Sequence, residues 1–296
     1  MADTKLRSRW VMANGVKTHY TESGGDGKVL VALHGGGAGS SGVAGMGLVM
    51  DRLAGEFRCI APDSIGGFGL TDPYAPAPYG LNSRAKHTAD FIDALCLDKI
   101  TILGNSQGAY TACQYAINNP DRVEKLIIVS SLTIAGPFGI KQAPNEALKA
   151  LEGYDGTRDG MKRLLGALII DKARITDKLI DERQAAATRP GALEAFKAFG
   201  ASIRRMRENP LYAAQVNIQH ALPQLIKHIP TLVMWGENDP FAIPETGRAL
   251  QKFLPDAKWV WVPGAGHQVQ TDKPDESARI IREFMDADSP ARKAAE

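Results

Sequence analysis

The chain has 296 residues, 44% of them hydrophobic, and a formal net charge of +2. That length suits one large core, or a core with a sizeable insertion. Lys and Arg are dispersed apart from short pairs such as Arg204-Arg205, so nothing points to a nucleic-acid partner or an anionic membrane surface. Cys59, Cys96 and Cys113 are odd in number and have no metal-ligand spacing, which predicts three buried thiols in a reducing compartment rather than a disulfide framework. No apolar run reaches membrane-spanning length, and the first residues lack the apolar stretch of a secretory signal. The expectation is a cytoplasmic protein.

In chain order, residues 10–13 and 17–22 read as a hairpin turning at Asn14-Gly15. Residues 29–33 and 58–61 are short buried strands, and 83–95 has apolar residues at helical spacing. Ile100-Thr101-Ile102-Leu103 is a β-prone run that leads into Gly104-Asn105-Ser106-Gln107-Gly108. A helix over 106–118 follows, stopped by Pro120. Further strands fall at 125–130, 231–235 and 258–262, and a last helix at 274–285. Strands alternating with helices predict βαβ units and a mostly parallel, doubly wound sheet.

One stretch breaks the alternation. Residues 136–224 carry helical patterns at 145–151, 157–168, 176–187 and 191–207, and no convincing strand. The predicted organisation is a core of residues 1–135 and 225–296 interrupted by a helical insertion, 136–224. That insertion is either a packing module or a lid over the carboxyl edge of the sheet, where open α/β sheets place their ligands, and its position directly after the strand next to Ser106 favours the lid. The tail, 286–296, is expected to fray.

G-x-S-x-G between a strand and a helix is the pattern of a nucleophile elbow. A serine hydroxyl needs a base, and the base needs an orienting acid. In this topology the order is Ser, then Asp or Glu, then His. Three histidines follow Ser106. His267 lies in the glycine-rich loop Pro263-Gly264-Ala265-Gly266-His267 right after the last strand, where the base is needed; His220 and His228 read as surface or hinge residues. Trp235-Gly236-Glu237-Asn238-Asp239-Pro240 supplies the acid, Asp239, with Glu237 as the competitor. The oxyanion needs preorganised N–H donors. Gln107 supplies one, and Gly36, helped by Gly37, supplies another from His34-Gly35-Gly36-Gly37. His34 is expected to hold that loop. Asp63 and Asp72 precede Ser106 and read as loop-fixing residues, while His19 and His87 carry no functional signal.

Together these motifs resemble the α/β-hydrolase superfamily over nearly the whole chain. Within it the chain looks like the meta-cleavage-product hydrolases, which split the C–C bond of vinylogous 1,5-diketones formed by ring-cleaving dioxygenases. The resemblance rests on His34-Gly35-Gly36-Gly37-Ala38-Gly39, on Gly104-Asn105-Ser106, and on residues 168–176 leading to Asp181-Glu182-Arg183. It implies that Arg183, which on its helix alone reads as a solvated charge, holds the substrate carboxylate, and that Asn105 contacts the dienoate end. It also implies substrate-lining positions where this chain departs from the family: Gly45 stands for asparagine, Leu168 for an aromatic residue and Gln268 for tryptophan. The expected partner is a small carboxylate-bearing dienoate. No metal or organic cofactor is implied, and family members form dimers or higher oligomers. A carboxylesterase or lactonase uses the same triad, and a non-catalytic receptor can retain it.

Overall fold

Asn14 and Gly15 both take positive φ, 46° and 84°, which makes the mirror-image turn whose twist matches a hairpin. In the computed structural model, which describes residues 6–287, this turn joins β1 (Arg7–Ala13) to β2 (Val16–Glu22). The remaining strands are β3 (Val29–Leu33), β4 (Arg58–Pro62), β5 (Ile100–Asn105), β6 (Val123–Val129), β7 (Thr231–Gly236) and β8 (Lys258–Val262). Their order is β1-β2-β4-β3-β5-β6-β7-β8. β1 and β2 pair antiparallel, as do β2 and β4; every other pairing is parallel. Runs such as Val-Leu-Val-Ala-Leu in β3 are apolar at successive positions because helices cover both faces.

Three helices alternate with the early strands: α1 (Gly42–Leu53), α2 (Leu81–Ala94) and α3 (Gln107–Asn118). Between β6 and β7 the described residues form helices and no strand: α4 (Leu132–Ala135), α5 (Glu146–Glu152), α6 (Arg158–Leu168), α7 (Asp177–Thr188), α8 (Ala192–Glu208), α9 (Pro210–Ala213) and α10 (Ala221–Leu225). The chain closes with α11 (Pro244–Gln251), α12 (Val269–Asp272) and α13 (Pro274–Asp286). On one face of the sheet Met46, Met50 and Leu53 of α1 and Ile281 of α13 bury Leu30, Ala32 and Leu103. On the other, Phe91 of α2 and Tyr110 of α3 bury Val31, Leu33 and Ile102. Neighbouring strand residues thus feed opposite cores, as the two-residue period of a strand requires.

The structure departs from the sequence reading in two places. The sequence reading named no element at 42–53, where Gly42, Gly45 and Gly47 weaken the helical signal. The helix forms because Ser41 Oγ caps it, accepting the Ala44 N–H at 3.1 Å, and because one side buries Met46, Val49, Met50 and Leu53. Cys59 and Cys113 are buried, but Cys96 is exposed. It sits just past the end of α2 with a φ of 52°, in the turn before the buried Leu97. Residues 288–296, which include most of the tail expected to fray, lie outside the described residues. No helix among the described residues is long and apolar enough to cross a membrane.

The helical segment between β6 and β7 reaches three loops at the carboxyl edge of the sheet. Gln142 Nε2 donates to Phe241 O at 2.6 Å, and Asn145 Nδ2 donates to Pro240 O at 2.9 Å. Asp272 accepts the Ile170 and Asp171 N–H groups through Oδ1, at 3.0 and 2.8 Å, and the Gly266 N–H through Oδ2 at 2.8 Å. From α7, Arg183 bonds to the loop after β3, as described below.

Candidate active site

β5 ends on Asn105 and α3 begins on Gln107, so Ser106 alone makes the turn. Its φ of 57° and ψ of −119° cost a non-glycine residue on the order of 1–3 kcal/mol. Backbone contacts hold it there. Ser106 N–H lies 3.0 Å from Val129 O and 3.2 Å from Ser130 O, and Ser131 Oγ donates to Ser106 O at 2.7 Å. A Cβ on Gly104 would strike the Gly108 backbone, so the elbow needs glycine there.

The loop after β8 brings His267 beside this turn. Asn105 Nδ2 donates to His267 O at 3.0 Å and to Val129 O at 3.2 Å, which anchors the histidine loop to the residue preceding Ser106. His267 Nδ1 is 2.9 Å from Asp239 Oδ2. An ionised carboxylate only accepts, so Nδ1 carries the proton and Nε2 presents its lone pair. Asp239 Oδ1 accepts the Phe241 and Ala242 N–H groups, both at 2.8 Å, which holds the carboxylate in place. Glu237, the competing acid, is exposed, as are His220 and His228. His267 Nε2 is buried with no hydrogen-bond partner among the described residues, so no hydrogen bond joins it to Ser106 in the free protein. Such contacts commonly tighten when substrate binds.

The loop after β3 packs against the elbow. A Cβ on Gly35 would lie 3.3 Å from the Ser106 Cβ, and a Cβ on Gly36 would collide with the Gln107 side chain. The N–H groups of Gly36, Gly37 and Gln107 have no acceptor among the described residues. His34 Nδ1 donates to Gly35 O at 2.7 Å, and its Nε2 accepts the Ser64 N–H at 3.1 Å. Burial, then the nearby Arg84 charge, push its pKa down to about 3, so the ring is neutral and serves as a brace.

Two buried guanidinium groups flank this loop. Arg183 is 1% exposed. One of its terminal nitrogens donates to Ala38 O and to Ser40 Oγ, both at 2.9 Å, while its Nε has no partner. Arg84 donates to Gln107 Oε1 at 3.2 Å, to His34 O at 3.0 Å and to Ser64 Oγ at 2.7 Å. Burial lowers Arg84 to about 9 and Arg183 to about 10, values at which both still carry charge near neutral pH. No ion pair serves either among the described residues, and every group they touch is neutral. Leaving a buried charge unpaired is costly unless an anion arrives to meet it.

The other expected pocket residues divide. Leu168 and Gln268 come together, with the Gln268 N–H 3.2 Å from Leu168 O, and both side chains are buried. Both donors of the Asn105 amide are occupied by backbone carbonyls, which pins the histidine loop, while its Oδ1 accepts no hydrogen bond among the described residues. Gly45 lies on α1 against His34, where an added Cβ would be 3.1 Å from the His34 Cβ. A side chain at position 45 would crowd that brace. Sequence reasoning missed Arg84, Ser131 and Asp272. Arg84 left one signal: it occupies the buried stripe of α2 with Leu81, Thr88 and Phe91.

The model of the alpha/beta hydrolase fold family matches residues 28–274, and the chain belongs to that family. The 2-hydroxy-6-oxo-2,4-heptadienoate hydrolase of Pseudomonas putida strain F1 is 30% identical over 280 residues, which span 95% of this chain and 96% of that protein. The 2-hydroxymuconate semialdehyde hydrolase of Pseudomonas sp. strain CF600 is 31% identical over 284 residues, 96% of this chain and 95% of its own. Among solved structures, a mutant of the meta-cleavage product hydrolase CumD from Pseudomonas fluorescens IP01, complexed with acetates, superposes with a TM-score of 0.76. It shares 27% identity and covers 96% of this chain and 98% of that one. Within the α/β hydrolases, then, the protein is a member of the meta-cleavage-product hydrolases.

Proposed function

We propose that the protein hydrolyses the C5–C6 bond of a 2-hydroxy-6-oxo-dienoate, using Ser106, His267 and Asp239. The observation that carries this reading is Arg183, a buried cation with no counter-ion, bonded to the loop that bears Gly36 and Gly37. A planar guanidinium suits the carboxylate of such a substrate, and Arg84 adds a second positive charge on the other side of the loop.

The dienol first loses its hydroxyl proton and gains one at C5, which makes a 2,6-dioxo form whose C5–C6 bond can break. His267 Nε2 takes the Ser106 proton as Oγ adds to C6, and Asp239 steadies the imidazolium. The Gly36 and Gln107 N–H groups, with Gly37 beside them, receive the oxyanion. Collapse breaks the C5–C6 bond, and the departing dienolate takes the proton from His267 on its C2 oxygen. The ester left on Ser106 is hydrolysed to the free acid by water, which His267 deprotonates, with the proton returned to Ser106. The sealed position of His267, against the Phe241 ring at 4.5 Å, limits loss of its proton to solvent. The three free thiols agree with a reducing, cytoplasmic setting.

Gly45, Leu168 and Gln268 support a second reading, ester or lactone hydrolysis, because they alter the shape and polarity of positions that line the substrate site in the family. A panel of yellow ring-cleavage dienoates and p-nitrophenyl esters separates the two. Loss of dienoate absorbance is expected. Rapid ester turnover with inert dienoates would replace the first reading by the second, and turnover of neither class, with no phosphonate labelling of Ser106, would indicate a receptor.

A further inference from the structure

The hairpin end of the sheet holds a second Ser–His–Asp chain. Ser8 Oγ is 2.7 Å from His19 Nε2, and His19 Nδ1 is 2.8 Å from Asp63 Oδ2. β1 and β2 create it: Ser8 opposes Thr21 and Trp10 opposes His19, which puts Ser8, Trp10 and His19 on one face. Asp63 comes from the loop after β4. Its Oδ1 accepts the Gly42 N–H at 2.7 Å, at the positive end of α1, and its Oδ2 also accepts the Leu70 N–H at 2.8 Å. So Asp63 is held by two backbone N–H groups and one imidazole, the same set that holds Asp239.

The proton inventory runs the same way too. The Asp63 carboxylate accepts the hydrogen bond of Nδ1–H, which leaves Nε2 to accept from the Ser8 hydroxyl. His19 and Asp63 are buried, while Ser8 is exposed. Beside them Trp10 is 46% exposed, with its ring 5.0 Å from His19 and the Lys17 ammonium 4.8 Å above it.

We propose that Ser8 is a second activated nucleophile, which accepts the acyl group of aryl esters independently of Ser106. Ser8 Oγ adds to the ester carbonyl while its proton passes to His19 Nε2. The Oγ–C bond forms, the C–O bond to the aryl group breaks, and the phenolate departs over Trp10 beside Lys17, taking the proton from His19 or from water. Ser8 lies on a regular strand, without the positive φ that Ser106 has. The site is therefore built for stoichiometric acylation rather than turnover.

The test uses the Ser106→Ala protein and p-nitrophenyl acetate, read by nitrophenolate release and by mass mapping of acetylated peptides. A stoichiometric burst with acetyl on Ser8 is expected. The burst disappears in the Ser106→Ala/Ser8→Ala double variant, whose melting temperature matches the parent, and slows about 10²-fold in Ser106→Ala/His19→Gln. Acetylation confined to lysines, or a burst that survives Ser8→Ala, would overturn the proposal. Activity of the intact enzyme on dienoates plays no part in the outcome.

Discussion

Two histidine–aspartate pairs stand among the described residues, one at each extreme of the sheet's chemistry. His267–Asp239 sits at the carboxyl edge of the parallel strands, and His19–Asp63 sits at the antiparallel hairpin. Both carboxylates take two backbone N–H bonds and one imidazole N–H. The difference lies in what surrounds each serine. Ser106 is strained, flanked by unpaired N–H groups and packed against a loop that buried, uncompensated cations hold; Ser8 is relaxed and open to solvent. A proton path is thus easily assembled wherever a histidine meets a fixed carboxylate. What sets a reaction centre apart is the preorganised field around it, which costs backbone strain and charge burial to maintain.

The comparison breaks most sharply at the serines. Ser106→Ala should lower dienoate kcat by about 10⁶-fold, measured by loss of absorbance, while Ser8→Ala leaves it unchanged. Next come the acids. Asp239→Asn should reduce kcat by about 10⁴-fold, because the amide no longer holds the required tautomer. Asp63→Asn should leave the dienoate reaction largely intact and instead lower stability in urea by about 1–3 kcal/mol, since an amide cannot serve all the donors that Asp63 now accepts. If the two substitutions had equal effects on turnover, the distinction between the pairs would fail.

Charge is the third contrast. Arg183→Gln should raise KM for dienoates about 10²-fold with little change for neutral p-nitrophenyl esters, as loss of a buried charge partner requires. An equal loss on both substrates would mean that Arg183 braces the loop instead. The mildest probe reads the packing behind both pairs. Burial raises the pKa of Cys59 to about 12 and pushes the Cys113 thiol well above its usual range, so both remain protonated thiols at pH 8. A thiol reagent at that pH should titrate one cysteine, Cys96, in the native protein and all three in denaturant.

Much of this was written locally along the chain. The hairpin turn, the alternating strands, the elbow at Ser106, the order of serine, acid and histidine, and the helical stretch between β6 and β7 all follow from residue type and spacing. Each depends on neighbours within a turn or a strand, where period, turn chemistry and glycine punctuation act directly. Other features depended on contacts between distant segments. Nothing local in Ser-Arg-Ala-Lys announces that Arg84 reaches His34 O, or that Asp272 ties the segment after α6 to the histidine loop. Asn105 spends its amide on a carbonyl 162 residues away. Ser8, His19 and Asp63 were unremarkable apart, and the sheet made them a chain of hydrogen bonds. Spacing sets which backbone forms, but the pairing of a buried polar group is decided by whichever segment folding lays against it.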